Sequence, residues 1–218
     1  MATVKCWCLT ASNLDRRDAM KPMLILAVML PFVAHGAADD NLKQKLAQLE
    51  QFSAQFNQQV YDEAGQLTST ASGELSMQAP DRMRWQQQIP DDYLIIADGQ
   101  AVWVYEPFME AATVYRQDDA VAQTPVTILT QSQSDAWQQY DVSQQGDCYT
   151  LAAKEEDSQI SAMKVCFDGQ IIKSLTMNYS YGGHSDLTLT GFTTEAQAAS
   201  LFEFVAPEGT EIDDQRGQ

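Results

Sequence analysis

The sequence predicts a mostly-β domain with a few helices, built on a meandering antiparallel sheet. Three observations carry this. Short segments of period-two hydrophobicity recur from Phe52 to Thr194. Turn signals separate them at Ala79-Pro80-Asp81, Ile89-Pro90-Asp91, Asp98-Gly99 and Glu106-Pro107. Helical periodicity is confined to short stretches near the start, middle and end, not interleaved with the strands as βαβ units require.

The elements follow in order. Leu42, Leu46 and Leu49 recur at i, i+4 and i+7, with Lys43, Gln44, Lys45 and Gln48 between them. That is an amphipathic helix with a narrow apolar stripe, which must lie against something apolar. From Phe52 the period becomes two: Phe52, Ala54, Phe56, Gln58 and Val60 share one face. After a turn near Gly65 come GELSMQ, RMRWQQQ, DYLIIAD, AVWVYEP and AATVYRQ as strands. Thr124 caps a mid-chain helix with Pro125 at its first position and Val126, Ile128 and Leu129 on its apolar face. Strands resume at WQQYDVSQ, a hairpin between Cys148 and Cys166, GQIIKSLTMNYSY and SDLTLTGFTT. A short helix is expected over Glu195 to Leu201, then FEFVAPEG and a polar tail ending DDQRGQ, which either docks on the domain or stays free.

The first 38 residues read as targeting. Lys21 precedes an apolar run from Met23 to Val33 that is short for a membrane span, and Ala34, Gly36, Ala37 and Ala38 follow it. Cleavage is expected after Ala38, or after Gly36, with Met20 as the true start. Residues 39–218 then form a single domain. No cysteine follows the apolar run at the cleavage position, so a lipid anchor is not expected.

The formal net charge of -17 argues against nucleic acid and anionic membrane surfaces as partners. Removing residues 1–38 takes four basic and two acidic residues and makes the charge -19. Two cysteines remain, in a compartment that permits disulfides. CYTLAAK and ISAMKVC form two arms around EEDSQ, so Lys154 faces Ile160 and Cys148 faces Cys166. Directly opposed residues of an antiparallel pair come within disulfide reach. The alternative is that both are small buried hydrophobes. A metal site is not expected, since there is no C-x-x-C and His184 is the only histidine after Ala38.

Sequence signatures of catalysis are missing: no G-x-S-x-G, H-E-x-x-H, P-loop or G-x-G-x-x-G occurs. Asp91-Asp92, Glu155-Glu156 and Asp213-Asp214 sit in turns or the tail, as solvated charges do. Trp85, Tyr93, Trp103, Tyr105, Tyr115 and Trp137 fall on strands. They are either ordinary sheet core or the lining of an apolar cavity between a curved sheet and the helices. Tryptophan-rich strands without catalytic groups favour binding over catalysis.

Several phrases resemble the outer-membrane lipoprotein carrier protein family. They are ADGQAVWVYEPFMEAATVYRQ (Ala97 to Gln117), GELSMQAPDRMRW (Gly73 to Trp85), TPVTIL (Thr124 to Leu129), SDAWQQYDV and the closing FEFVAPEGTEIDDQRGQ. The resemblance spans essentially all of residues 39–218. It implies an unclosed, curved antiparallel β-barrel with an α-helical lid over an apolar cavity. It also implies a monomeric periplasmic chaperone without cofactors. Its cargo would be outer-membrane-directed lipoproteins, taken from an inner-membrane ABC-type release complex and delivered to an outer-membrane lipoprotein receptor. A sensing module of the same fold is the alternative. The expected cavity and lid residues are Leu46, Phe52, Phe56, Met83, Trp85, Trp103, Tyr105, Phe108, Met109 and Ile128. The pattern departs from the family at Ala79, where an arginine commonly precedes Pro80 and helps lock the lid. Met83 keeps the apolar residue that follows. Arg82 and Arg84 fall on the face opposite Met83, so lid closure is expected to be weaker or to be held by another donor.

Overall fold

The computed structural model describes residues 35–117, 129, 135–155 and 158–217. One helix, α1 (His35–Ala47), precedes β1 (Gln51–Tyr61), β2 (Leu67–Gln78), β3 (Arg82–Ile89), β4 (Tyr93–Asp98), β5 (Ala101–Glu106) and β6 (Ala111–Arg116). Then follow β7 (Tyr140–Gln145), β8 (Cys148–Ala153), β9 (Ile160–Asp168), β10 (Ile171–Tyr179), β11 (His184–Thr193) and β12 (Glu211–Asp214). All twelve strands form one sheet in the order β12-β6-β5-β4-β3-β2-β1-β11-β10-β9-β8-β7. Two antiparallel meanders, β1–β6 and β7–β11, are joined where β1 pairs with β11. β12 is the exception, running parallel to β6.

The sheet is curved and unclosed, with β12 and β7 as its two ends. Leu75 and Met77 of β2 and Val142 of β7 belong to one core cluster with Leu42 and Leu46 of α1. β2 and β7 lie six strand spacings apart in sheet order, or about 29 Å if the sheet were flat. The cluster runs across all the strands between them, and α1 packs on it at the β7 end.

Strand alternation places the expected residues on that inner face. Phe52, Ala54 and Phe56 are buried while Gln55, Asn57 and Gln59 are exposed. The register Phe52↔Met77, Ala54↔Leu75 and Phe56↔Gly73 continues the face into β2. In the other meander it carries Tyr149, Leu151, Met163, Val165, Leu175, Leu187 and Leu189, all buried. α1 lays Leu42 (0% exposed) and Leu46 (3%) on this cluster. Lys43 pairs with Asp39 at 2.8 Å within the helix.

The cysteine hairpin forms in the expected register, with Cys148 opposite Cys166 and Thr150 opposite Lys164. The two cysteines are joined as a disulfide. Both lie on the outward face, since Tyr149 and Val165 beside them point into the core.

Two expectations are corrected. Glu195 to Leu201 is not a helix: only Ala199–Phe202 turns, as a single 3-10 element. Trp137 to Gln139 belong to a 3-10 turn, Asp135–Gln139, ahead of β7. The mid-chain helix expected from Thr124 lies outside the described residues, apart from buried Leu129.

Leu42 is the most deeply covered residue of α1, and removing its branched end leaves a void under the helix. Leu42→Ala is expected to cost about 2–5 kcal/mol, against less than about 0.5 kcal/mol for the exposed Gln44→Ala. Urea unfolding followed by circular dichroism separates the two; equal midpoints would mean that α1 contributes little to the fold.

Candidate functional site: a two-sided sheet with an open apolar inner face

The two halves of the sheet are covered differently. Along β3 to β6 the inner face continues through Leu75↔Trp85, Met77↔Met83, Trp85↔Ile95, Ile95↔Val104 and Ala97↔Val102. Met83, Trp85, Ile95, Val102 and Val104 are only half-buried there. Met83 and Trp85 also pack against the core cluster that holds α1. This is a contiguous apolar surface, partly open, lying beside the helix.

The outer face of the same strands is sealed by the C-terminal segment. Phe202 is buried (1% exposed), and Phe204 stacks on Trp103 with ring centroids 5.0 Å apart and tilts against Tyr105 at 5.5 Å. Beneath them Ile96, Ala112 and Val114 are buried. Arg84 Nη1 donates to the Leu201 carbonyl at 3.4 Å. Burial lowers the Arg84 pKa, opposed by the charge of Glu74. The tail then runs along β6 as β12. The Glu211 N–H donates to the Glu110 carbonyl at 2.8 Å, and the Gln215 N–H to that of Val114 at 2.9 Å. Arg216 pairs with Asp214 and lies over the Trp103 ring at 5.7 Å. Hydrogen bonds from Arg216 hold the Asp214 carboxyl down at about 2. The pair is therefore intact above the ordinary carboxylate range and is lost as pH falls through about 2. The tail docks on the domain.

The expected lining divides accordingly. Leu46, Phe52, Phe56, Met83 and Trp85 come together on the inner face. Trp103 and Tyr105 point to the opposite face and are held by Phe204, which corrects their grouping with Trp85. Phe108 and Met109 sit on the exposed β5–β6 turn, away from the inner-face cluster of the described residues. Ile128 lies outside the described residues. The sequence reading missed Ile95, Val102 and Val104. They carry no special signal, and only the register through Trp85 places them inside.

Phe56 and Trp85 form the seam between the covered and open regions, stacked with centroids 3.8 Å apart. Gly73 stands opposite Phe56 and Gln87 where the register of β2 and β3 shifts. A Cβ at Gly73 would lie 1.9 Å from the Gln86 carbonyl oxygen, so only glycine allows this approach.

Polar groups on the inner face are few. At its far end Gln58 Nε2 donates to the fully buried Ser185 Oγ at 2.8 Å. Burial raises the Tyr179 pKa, partly offset by its hydrogen bond with Ser185. Among the described residues no cluster of three or more His, Cys, Asp or Glu could hold a metal. A separate cleft of about 420 Å³ is lined by Asn57, Gln59, Thr70, Ser72, Ile89 and Thr188, among others.

Ala79 contributes a backbone N–H bond to the Glu50 carbonyl at 2.8 Å. Arg82 bonds the Gln78 side chain and Arg84 the outer tail, so neither faces α1. The helix carries its own donors. Lys45 Nζ donates to the Gly169 carbonyl at 2.8 Å and lies 5.0 Å from the Phe167 ring centroid, and Lys43 Nζ lies 5.1 Å from that of Trp137.

An open, curved sheet with an amphipathic helix on part of an apolar inner face defines a shell for binding greasy guests. The profile of the family described as "Outer membrane lipoprotein carrier protein LolA" matches residues 47–205, and the chain belongs to that family. An outer-membrane lipoprotein carrier protein of Aeromonas salmonicida is 39% identical over 200 residues, spanning 90% of this chain and 99% of the relative. One from Shewanella pealeana is 35% identical over 201 residues, spanning 90% and 97%. The fold is also similar to that of an uncharacterized conserved protein of Thermus thermophilus. Its TM-score is 0.52 at 9% identity, covering 81% of this chain and 98% of the other.

Gly73→Ala is expected to force β2 and β3 apart, costing about 1–3 kcal/mol and exposing Trp85. A lower urea midpoint together with red-shifted tryptophan emission is the expected result; native values for both would refute the close-approach argument.

Proposed function

We propose that this chain is an exported periplasmic carrier. It would accept lipoproteins released at the inner membrane, shield their acyl chains on its apolar inner face, and deliver them to a receptor at the outer membrane. One observation carries the reading: the inner face is wider than its helix, so half-buried Met83, Trp85, Ile95, Val102 and Val104 adjoin a removable cover. The names of the relatives support it. Among the described residues no helix is long and apolar enough to cross a membrane.

The energetics are compatible with loading and release. Lifting α1 exposes Leu42 and Leu46, at roughly 1.5–3 kcal/mol each. An acyl chain returns about 0.8 kcal/mol per methylene sheltered. Four to eight methylenes, as a rough figure, therefore offset the opening. A chain of about sixteen carbons exceeds that, yet part of the gain is spent on opening, which keeps the cargo releasable.

The Lys45 bond to Gly169, with the Lys43 and Lys45 ring contacts, would hold the lid in place of the missing arginine, each cation–π contact adding about 0.5–1 kcal/mol. Removal of residues 1–38 as a leader would shorten α1 but keep Leu42, Lys43, Lys45 and Leu46.

Brominated palmitate quenches tryptophan on contact and provides the test. Trp85→Phe is expected to remove most of the quench and Trp103→Phe to leave it. No quench in the wild-type chain, or one undiminished by Trp85→Phe, would sink the inner face as the acyl site.

A further inference from the structure

The β5–β6 turn displays apolar groups that neither the core nor the inner face uses. Phe108 is 93% exposed and Met109 64%. The turn is well braced. Pro107–Met109 form one 3-10 turn, the Glu110 N–H donates to the Pro107 carbonyl at 3.1 Å, and Glu110 adopts a left-handed φ of 50°. β12 ties it from the side through the bond from Glu211 N–H to the Glu110 carbonyl. Ile89, 59% exposed, ends β3 at the same end of the sheet. A rigid platform holding a phenyl ring in water has the geometry of an anchor for a pocket elsewhere.

The surrounding charge says what kind of pocket. Asp91, Asp92, Glu106, Glu110 and Glu211 are all exposed on these adjoining segments. Residues 89–93, 106–111 and 207–211 contain no Lys or Arg. An anionic phospholipid surface would repel such a tip, whereas a protein rim of Lys and Arg would attract it.

We infer that the Phe108–Met109 turn is a docking knob that enters an apolar socket, rimmed by Lys and Arg, on a membrane-embedded protein partner. The location of that partner rests on the carrier reading, since a carrier must meet proteins at the membranes it serves. The contact itself does not depend on acyl binding.

Co-sedimentation of the purified chain with cell-envelope vesicles of its own bacterium tests this at about 50 mM salt. The wild-type chain is expected to sediment, and Phe108→Ser/Met109→Ser to bind about tenfold less. Glu106→Gln/Glu110→Gln is expected to weaken binding and flatten its salt dependence. Trypsin-shaved vesicles should lose binding, and the double variant should keep the brominated-palmitate quench. Failure of that quench in the wild-type chain would count against the carrier reading alone. No sedimentation of the wild-type chain, unchanged sedimentation of the double variant, or equal sedimentation with protein-free liposomes of the same lipids would each overturn the docking proposal. Joint loss of sedimentation and quench in the double variant would place the defect in folding and overturn it as well.

Discussion

The structure depends on a mismatch of areas. A curved sheet of twelve strands presents an apolar inner face, while α1 has 13 residues and is about 20 Å long. Among the described residues α1, Leu129 and Trp137 pack on the cluster that β1, β2 and β7–β11 gather. They do not cover all of what β3–β6 present. An ordinary domain would resolve the mismatch by closing the sheet or adding a layer. Here the sheet remains unclosed, and among the described residues Met83, Trp85, Ile95, Val102 and Val104 keep partial contact with solvent.

The tail makes that arrangement stable. Strands half-exposed on one face need support from the other, and β3–β6 obtain it from Phe202 and Phe204. Ile96, Ala112 and Val114 form a second small core there, separate from the cluster under α1. Packing on the outer side thus fixes the strands, while the inner side stays free to exchange one apolar neighbour for another. The helix is held by shallow contacts at its rim, Lys43 over Trp137 and Lys45 at Gly169, and by two leucines at its centre.

Much of this was legible in the sequence. Period-two alternation located the strands, the spacing around EEDSQ placed Cys148 opposite Cys166, and the leucine stripe of α1 announced a cover for an apolar surface. Pleat alternation paired Met83 with Trp85 and Trp103 with Tyr105 but could not say which pair faced the helix. That depends on a register running through four strands, and all four residues are equally apolar. The end of the chain was harder to read for a different reason. FEFVAPEG alternates like a strand, yet Phe202 and Phe204 pack across the sheet instead of pairing in it. DDQRGQ carries no apolar pattern, although its two aspartates close β12, because backbone hydrogen bonds to β6 hold it.

The parallel pairing of β12 with β6 has one more consequence. An unclosed sheet has two flanks whose free amides and carbonyls invite strands from other molecules, a standing risk in a crowded compartment. β12 occupies one flank with Glu211, Asp213 and Asp214, a short run whose like charges repel a copy of itself. The short β7, with Asp141 exposed, ends the other. The chain can therefore keep its sheet open toward a guest without being open toward its own kind, and polymerisation is discouraged where the barrel was left unfinished.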